Sequence, residues 1–181
     1  MVSKPREPGP ALPFCGLLWS AEEAADAALE LLFRRFGPPC LATPRESFSH
    51  TSYYEKEMGR PIWRSYLLFP SPFPPDQLAE TKLWTNALEE DLRRRFRPQG
   101  RPVNLDPGYL ALEKLVLATT KDRSHRVYLG RGIYAESTLH YHQGRYRPWP
   151  WTYPDYARPL VALFLRAGRQ ILKRLRRGEQ A

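Results

Sequence analysis

The segment PFCGLLWSAEEAADAALELLFRRFGP, residues 13–38, contains the first two elements of the fold. It begins with a short apolar run up to Ser20, which is typical of a buried strand. Apolar residues then recur at the spacing of one helix face, and Gly37 followed by Pro38 predicts the end of that helix. Ser20 and Glu23 have the spacing of a capping box, which satisfies free backbone groups at a helix start. The segment therefore predicts a strand joined to an amphipathic helix.

Two more strands and a second helix follow. Residues 40–48 and the run IWRSYLLF (62–69) predict the strands, and an apolar stripe from Asp76 to Phe96 predicts the helix. With a further strand before about residue 120, the order becomes strand, helix, strand, strand, helix, strand. This order predicts an α+β protein with a ferredoxin-like split βαβ core.

The remaining sequence is rich in strand patterns. Asp106-Pro107-Gly108 predicts a turn, and LVLATT (115–120) predicts a strand, with a helix over residues 109–120 as the alternative. The later elements are strands in HRVYL (125–129) and IYAESTLHYH (133–142), turns at GRG (130–132) and QGR (143–145), and a helix over residues 157–177. We expect one domain over residues 13–177 that ends in a basic helix. Residues 1–12 are expected to form a flexible lead-in, and residues 178–181 a flexible tail.

Composition limits the class of protein. The 181 residues suffice for one domain, and 42% apolar content favours a packed core over disorder. No apolar run approaches the roughly 20 residues that a membrane helix needs, and MVSKPREPGP does not resemble a secretory signal. Two cysteines, Cys15 and Cys40, are fewer than a disulfide-stapled secreted domain carries. We therefore expect a cytoplasmic protein with free thiols.

A net charge of +9 makes an anionic partner plausible. Between Tyr156 and Ala181 there are seven Arg or Lys and one Glu, so this part supplies +6 of the +9. Four cations form one stripe on the predicted last helix: Arg166, Arg169, Lys173 and Arg176. This stripe could bind RNA, DNA or an anionic membrane, or it could be an ordinary solvated face.

The candidate site lies between residues 121 and 136. Lys121, Asp122, His125 and Arg126 fall within six residues, and these groups could hold a phosphate or carboxylate with His125 as proton donor. The alternative is a solvated charged turn. The glycines around Arg131 would allow backbone amides to approach an anion, and Tyr134 and Glu136 share one strand face.

A metal site is not predicted. Alternation along the strand places Glu136, His140 and His142 on one face, where histidines two residues apart could act as ligands. No fourth ligand is apparent in the sequence. We expect Glu136 to act as a general acid or base, or as the partner of an arginine.

Five blocks carry a resemblance to a known family: YYEKEMG (53–59), TNALEE (85–90), NLDPGYL (104–110), LVLATTKDRSHRVYLGRGIYAE (115–136) and PWTYPDY (150–156). They resemble a bacterial domain-of-unknown-function family whose members are often labelled "GTP-binding protein". The resemblance covers about Pro13 to Tyr156 and implies no catalytic residues. The sequence contains neither a G-x-x-x-x-G-K-[ST] loop nor an Asn-Lys-x-Asp motif, so its motifs do not support the GTP label.

Three hypotheses follow. The first is a protein that binds an anionic ligand, a nucleotide or a nucleic acid, through residues 121–136, with the last helix as an auxiliary surface. The second is an enzyme acting on a phosphorylated or carboxylated small molecule, with His125 and Glu136 transferring protons. The third is a structural or partner-binding domain without a small-molecule site. An enzyme predicts a cavity onto which Asp122, His125 and Glu136 converge.

Overall fold

The computed structural model describes residues 4–49, 53–97 and 99–178. The strands in these ranges are β1 Ala11–Trp19, β2 Leu41–Ala42, β3 Glu46–Ser47, β4 Trp63–Leu68, β5 Val103–Ala111, β6 Lys114–Thr119, β7 Val127–Gly130, β8 Ile133–His142 and β9 Arg145–Pro148. The helices are α1 Glu22–Phe36, α2 Glu55–Met58, α3 Leu78–Phe96 and α4 Pro159–Arg176, with 3₁₀ turns at Pro75–Gln77 and Pro154–Ala157.

The strands form one antiparallel sheet with the order β2-β4-β1-β5-β6-β8-β7, in which β3 also pairs with β4 and β9 with β8. Helices α1 and α3 pack on one face of the sheet, where Ala28 and Leu32 meet Leu88 and Leu92. Helix α4 packs on the other face, through a cluster that includes Phe164. The first four strands in this order and the two helices on one face form the predicted split βαβ core. The α+β class is confirmed.

The predicted turn at Asp106-Pro107-Gly108 is wrong, because all three residues lie inside β5. The alternative helix over residues 109–120 is also wrong, since β6 occupies most of that segment.

The sheet opens between β5 and β6 on the N-terminal side of Gly108. Strand β5 pairs with β6 only from Gly108↔Leu117 to Leu110↔Leu115, although β5 stays paired with β1 as far as Val103.

Side chains of α3 bond to the free edge of β5 where β6 separates from it. The Leu105 amide donates to Oε1 of Glu89 at 2.8 Å, and the Leu105 carbonyl accepts a hydrogen bond from Nζ of Lys82 at 2.8 Å. By strand alternation Pro107 has its backbone nitrogen on the same free edge, where a missing N–H leaves no partner unsatisfied. The proline therefore fits the opening of the sheet as well as it would fit a turn.

Two predictions near the N-terminus need correction. Strand β1 begins at Ala11, and Ala11 and Leu12 are fully buried, so the predicted domain boundary at residue 13 falls inside a strand. The capping box is absent because α1 begins after Ala21. The hydroxyl of Ser20 instead accepts a hydrogen bond from Arg97 at 3.0 Å.

At the other end of the chain, α4 ends one residue before the predicted boundary, and the predicted tail beyond Gly178 lies outside the described residues. No helix in the described ranges is both long and apolar enough to cross a membrane.

Strand β8 contains a bulge that changes which residues share a face. Its register with β6 shifts between Leu115 and Val116, where Leu139 and Ser137 are the successive partners. Ile133 consequently packs in the cluster beside α3, whereas Leu139 packs in the cluster beside α4. The prediction that every second residue from 134 to 142 lies on one face is therefore wrong beyond the bulge.

We predict that Cys15 resists thiol reagents in the folded protein. Burial, with a smaller contribution from Asp106, raises the pKa of Cys15 to about 12, and only the thiolate reacts. Cys40 is half-buried and should react faster. Iodoacetamide at pH 8 followed by peptide mass spectrometry is expected to modify Cys15 only after denaturant is added. Complete modification of Cys15 without denaturant would contradict this prediction.

Candidate functional site

A cavity of about 400 Å³ lies on the α4 side of the sheet, beside the opening between β5 and β6. Its floor includes the cross-strand neighbours Leu18, Arg64 and Asn104, together with the pair Leu117 and Glu136. The remaining lining residues come from α2 and the segment before it, from α3, from β5 and β8, from the residues just before β5 and β7, from the end of β6 and from the turn before α4: Phe48, Tyr53, Tyr54, Glu57, Lys82, Asn86, Arg101, Asp106, Ala118, Thr119, Thr120, Lys121, Arg126, Thr138, Tyr153, Asp155 and Tyr156.

Arg64 on β4 lies in the cavity floor, and its side chain is only 3% exposed. Nη1 donates to Oδ2 of Asp106 at 3.2 Å, and Nη2 donates to the hydroxyl oxygen of Tyr156 at 2.8 Å. Nη2 also lies 3.2 Å from Oδ2 of Asp155, which accepts a further hydrogen bond from the Tyr66 hydroxyl at 3.0 Å. A buried arginine with two carboxylate partners satisfies the requirement that buried charge be paired.

The strands around Arg64 leave room for its guanidinium group. Its carbon Cζ lies over the rings of Tyr66 and Tyr156, 4.5 and 5.1 Å from their centroids. A Cβ at position 16 would lie 3.0 Å from both Nη2 of Arg64 and the Tyr156 hydroxyl. Gly16 therefore permits the close approach of the guanidinium to β1.

The charges on the floor are strongly coupled. Burial acts to raise the pKa of Asp106, but the positive charges of Arg64 and Lys82 outweigh it and hold that pKa below its usual value. Burial also raises the pKa of Tyr156 far above its usual value. At neutral pH, Asp106 is therefore a carboxylate and Tyr156 a neutral phenol.

A second charged group lies on β8. Glu136 is buried, and its Oε2 accepts a hydrogen bond from Nε of Arg126 at 2.9 Å. His125 approaches the same oxygen, with Nε2 at 3.2 Å. The His125 ring stacks on Trp151 with centroids 5.0 Å apart, and Trp151 stacks on Trp149 at 5.2 Å. Glu136 is thus a partner of arginine, as one of the two sequence expectations stated.

Lys121 differs from the other cations of the cavity. Its Nζ donates to the hydroxyl of Tyr53 at 2.9 Å and lies over the same ring, 4.5 Å from its centroid. Among the described residues no carboxylate lies within 4.0 Å of this ammonium group. Arg101, by contrast, contacts both Glu89 and Glu57, and Lys82 lies 4.0 Å from Glu89.

Asn104 on β5 is only 3% exposed and lines the cavity. Its amide nitrogen has no hydrogen-bond partner among the described residues. The amide is close enough to lower the pKa of Asp106 further, but it does not reach hydrogen-bond geometry. An unpaired buried amide costs free energy, and its presence beside a cavity therefore requires an explanation.

The family model for the domain of unknown function DUF4416 matches residues 9–172. The chain belongs to this family. Searches of curated proteins and of solved structures found no match. In this DUF4416 member, all five sequence blocks quoted above contribute residues to the cavity wall, represented by Tyr54, Asn86, Asp106, Glu136 and Asp155.

The structure brings together only part of the site predicted for this DUF4416 member. Lys121, Arg126 and Glu136 line the cavity, whereas His125 contacts Glu136 from outside it. The other three predicted residues, Asp122, Arg131 and Tyr134, do not line it. The convergence of Asp122, His125 and Glu136 that the enzyme hypothesis required is therefore not found.

The predicted basic stripe on α4 is separate from the cavity. Arg166, Lys173 and Arg176 are exposed. Arg169 donates to the Leu112 carbonyl at 3.1 Å, and its Cζ lies 3.6 Å from the centroid of the Tyr141 ring. One of the four cations thus anchors the helix to the sheet.

Sequence reasoning missed most residues of the cavity floor, above all Arg64, Asp106 and Asp155. One signal was present, because Arg64 is a charged residue within the apolar strand IWRSYLLF. A charge at a central strand position is rare unless it is paired, so its partners could have been sought elsewhere in the chain. Among the described residues, no three His, Cys, Asp or Glu side chains cluster as metal ligands would.

Proposed function

We propose that this protein binds a small anionic molecule, of the size of a nucleotide, in the cavity beside Arg64. The main support is Lys121, the lining cation that has no carboxylate within 4.0 Å among the described residues. The other lining cations, Arg64, Lys82, Arg101 and Arg126, each lie within 4.0 Å of a carboxylate. A negatively charged group of a ligand would give Lys121 the charged partner that the protein does not supply.

Fixed charges favour binding over acid–base catalysis. The pKa of Asp106 is lowered, and burial raises the pKa values of Tyr54 and Tyr156. All three pKa values are shifted away from neutral pH, whereas a general acid or base needs a pKa close to the working pH. The cavity therefore offers fixed charges and hydrogen-bonding groups to a ligand.

The size of the cavity favours a small molecule over a nucleic acid. Small-molecule sites occupy roughly 300–1,000 Å³, and about 400 Å³ falls within that range. Nucleic-acid binding would require a continuous basic face, but the exposed cations of α4 do not line the cavity. The free thiols Cys15 and Cys40 suit a reducing cytoplasm, where we place the protein.

We predict that Lys121→Met weakens binding of adenosine 5′-monophosphate about tenfold, because it removes a charge-assisted contact worth roughly 1.5 kcal/mol. The matched control is Lys114→Met, since Lys114 is an exposed lysine of the neighbouring strand that does not line the cavity. Isothermal titration at low salt measures both affinities, and native mass spectrometry of freshly purified protein tests for a retained anion. Equal affinities in the two variants would contradict the proposed role of Lys121.

A further inference from the structure

Asp106 and Asn104 lie two residues apart on β5, so both side chains are on the cavity face of the sheet. Arg64 binds Oδ2 of Asp106, yet 26% of the Asp106 side chain is exposed. Asp106 lines the cavity, where its carboxylate offers a hydrogen-bond acceptor. The amide nitrogen of Asn104, which has no hydrogen-bond partner among the described residues, offers a donor beside it.

The acceptor on Asp106 and the donor on Asn104 together restrict the chemistry of a ligand group that could bind to both. An ammonium group can donate to Asp106 but cannot accept from Asn104, whereas a phosphate or carboxylate anion can accept from Asn104 but cannot donate to Asp106. An anion beside Asp106 would also be repelled by a carboxylate that Arg64 keeps ionised. A hydroxyl is the smallest group that both donates and accepts.

The opening of the sheet explains why these two groups are left for a ligand. On the N-terminal side of Gly108, β6 no longer pairs with β5, so within the described part of the chain no strand pairs with Asn104 and Asp106 on that edge. The side chains of α3 satisfy the backbone of Leu105, which lies between them. The backbone of Leu105 is thus bonded on this edge, whereas the Asn104 amide nitrogen has no partner among the described residues.

We propose that Asp106 and Asn104 form a hydroxyl-binding subsite, so that the ligand is a hydroxylated anion such as a sugar phosphate. The inference rests on the proposed anion-binding function, in which Lys121 holds the anionic end. The ligand then lies with its hydroxyl on the floor and its anion near Lys121, two regions of the same cavity.

Three probes separate the two ends of the ligand. Ribose 5-phosphate carries hydroxyls and an anion, pentyl phosphate carries the anion without hydroxyls, and ribose carries hydroxyls alone. We expect ribose 5-phosphate to bind at least about tenfold more tightly than pentyl phosphate, since a site built for a hydroxyl discriminates against its absence. Lys121→Met should weaken both phosphates by the same factor.

Asn104→Leu tests the subsite directly. This change removes the amide and keeps the side-chain size, so it should abolish the preference for ribose 5-phosphate over pentyl phosphate. Because the amide has no hydrogen-bond partner among the described residues, its removal should lower the melting temperature of the free protein far less than Arg64→Met does. A fall as large as that of Arg64→Met would show a structural amide and overturn the inference. Asp106→Asn, which keeps the shape of the side chain, should reduce the same preference.

The outcomes distinguish the two proposals. Equal affinity for ribose 5-phosphate and pentyl phosphate, with both dependent on Lys121, would overturn the hydroxyl subsite and leave anion binding standing. Binding of ribose that equals that of ribose 5-phosphate would support the subsite and overturn the role of the anion. Absence of binding by all three probes at millimolar concentration would overturn both.

Discussion

Replacement of Arg64 by methionine is expected to lower the free energy of unfolding by about 3–5 kcal/mol. The change leaves the side-chain stem nearly intact but removes the guanidinium that pairs with Asp106 and Asp155. Both carboxylates would then remain in the floor of the cavity without their arginine partner, and the Tyr156 hydroxyl would lose its donor. Urea unfolding at pH 7 measures the effect as a shift of the midpoint at constant slope.

The control for Arg64 is an arginine whose ion pair is exposed. Arg34 pairs with Glu30 on α1, and the two side chains are 71% and 62% exposed. Surface pairs of this kind contribute about 0–1 kcal/mol, so Arg34→Met should change stability little. Similar losses in the two variants would show that the Arg64 network is not what stabilises the cavity floor.

The pH dependence of stability gives a second test of the Arg64 ion pairs, in a comparison of the wild type with Arg64→Met. The pKa of Asp106 is lower in the folded wild type than in the unfolded chain, so the stabilisation from its charge is present above an unfolded pKa of about 3.9. This stabilisation is lost as the pH falls through the folded pKa. In Arg64→Met the carboxylate keeps Lys82 but loses the charge of Arg64, so its folded pKa is higher than in the wild type. Asp106 has the same pKa in both unfolded chains, so the stability difference should narrow as the pH falls from the folded pKa of the variant to that of the wild type, and a constant difference would contradict the assignment.

Local pattern was sufficient for the secondary structure of the core. Apolar periodicity predicted the strand and helix of residues 13–38, and the positive φ of Gly37 agrees with its predicted place at the end of α1. The sequence order of these elements then led to the split βαβ core. Such elements are decided by neighbouring residues and by one buried face, both of which can be read from the sequence.

The segment Asp106-Pro107-Gly108 shows where local pattern is insufficient. Proline and glycine predict a turn, because proline lacks a backbone N–H and glycine has no side chain. The same two properties also suit a strand at the place where the neighbouring strand separates from it. The decision between them depends on β6, which separates from β5, and on Lys82 and Glu89, which bond to the free edge of β5. No short window of sequence contains all these partners.

The candidate site was predictable only in part, because some of its residues are close in sequence and others come together only in the fold. Lys121, Arg126 and Glu136 are close in sequence, and this concentration of charged residues predicted a site. All three line the cavity. Arg64 lies on β4 and Asp155 lies in the turn before α4, so only the folded structure shows that they are paired. The bulge in β8 adds a shift of register that alternation cannot predict.

Gly108→Ala is expected to destabilise the protein by about 1–3 kcal/mol, because it forces an extra carbon into a closely packed place. A Cβ at this position would lie 2.2 Å from the carbonyl oxygen of Val116 and 2.7 Å from a methyl carbon of Leu117. The first of these is backbone, so relief requires β6 to move away from β5. Since Gly108↔Leu117 is the last pair before the sheet opens, this movement would also widen the cavity.

Gly9→Ala is the matched control, because a Cβ at position 9 would contact nothing within 4 Å. Its urea midpoint should equal that of the wild type, whereas the midpoint of Gly108→Ala should fall. Hydrogen exchange adds a local readout, since amides of β5 and β6 should lose protection before those of β1 and β4. If Gly108→Ala were as stable as Gly9→Ala, strands β5 and β6 could not approach as closely at their last pair as the structure shows. The separation of β6 from β5 would then need a cause other than the Asp106-Pro107-Gly108 segment.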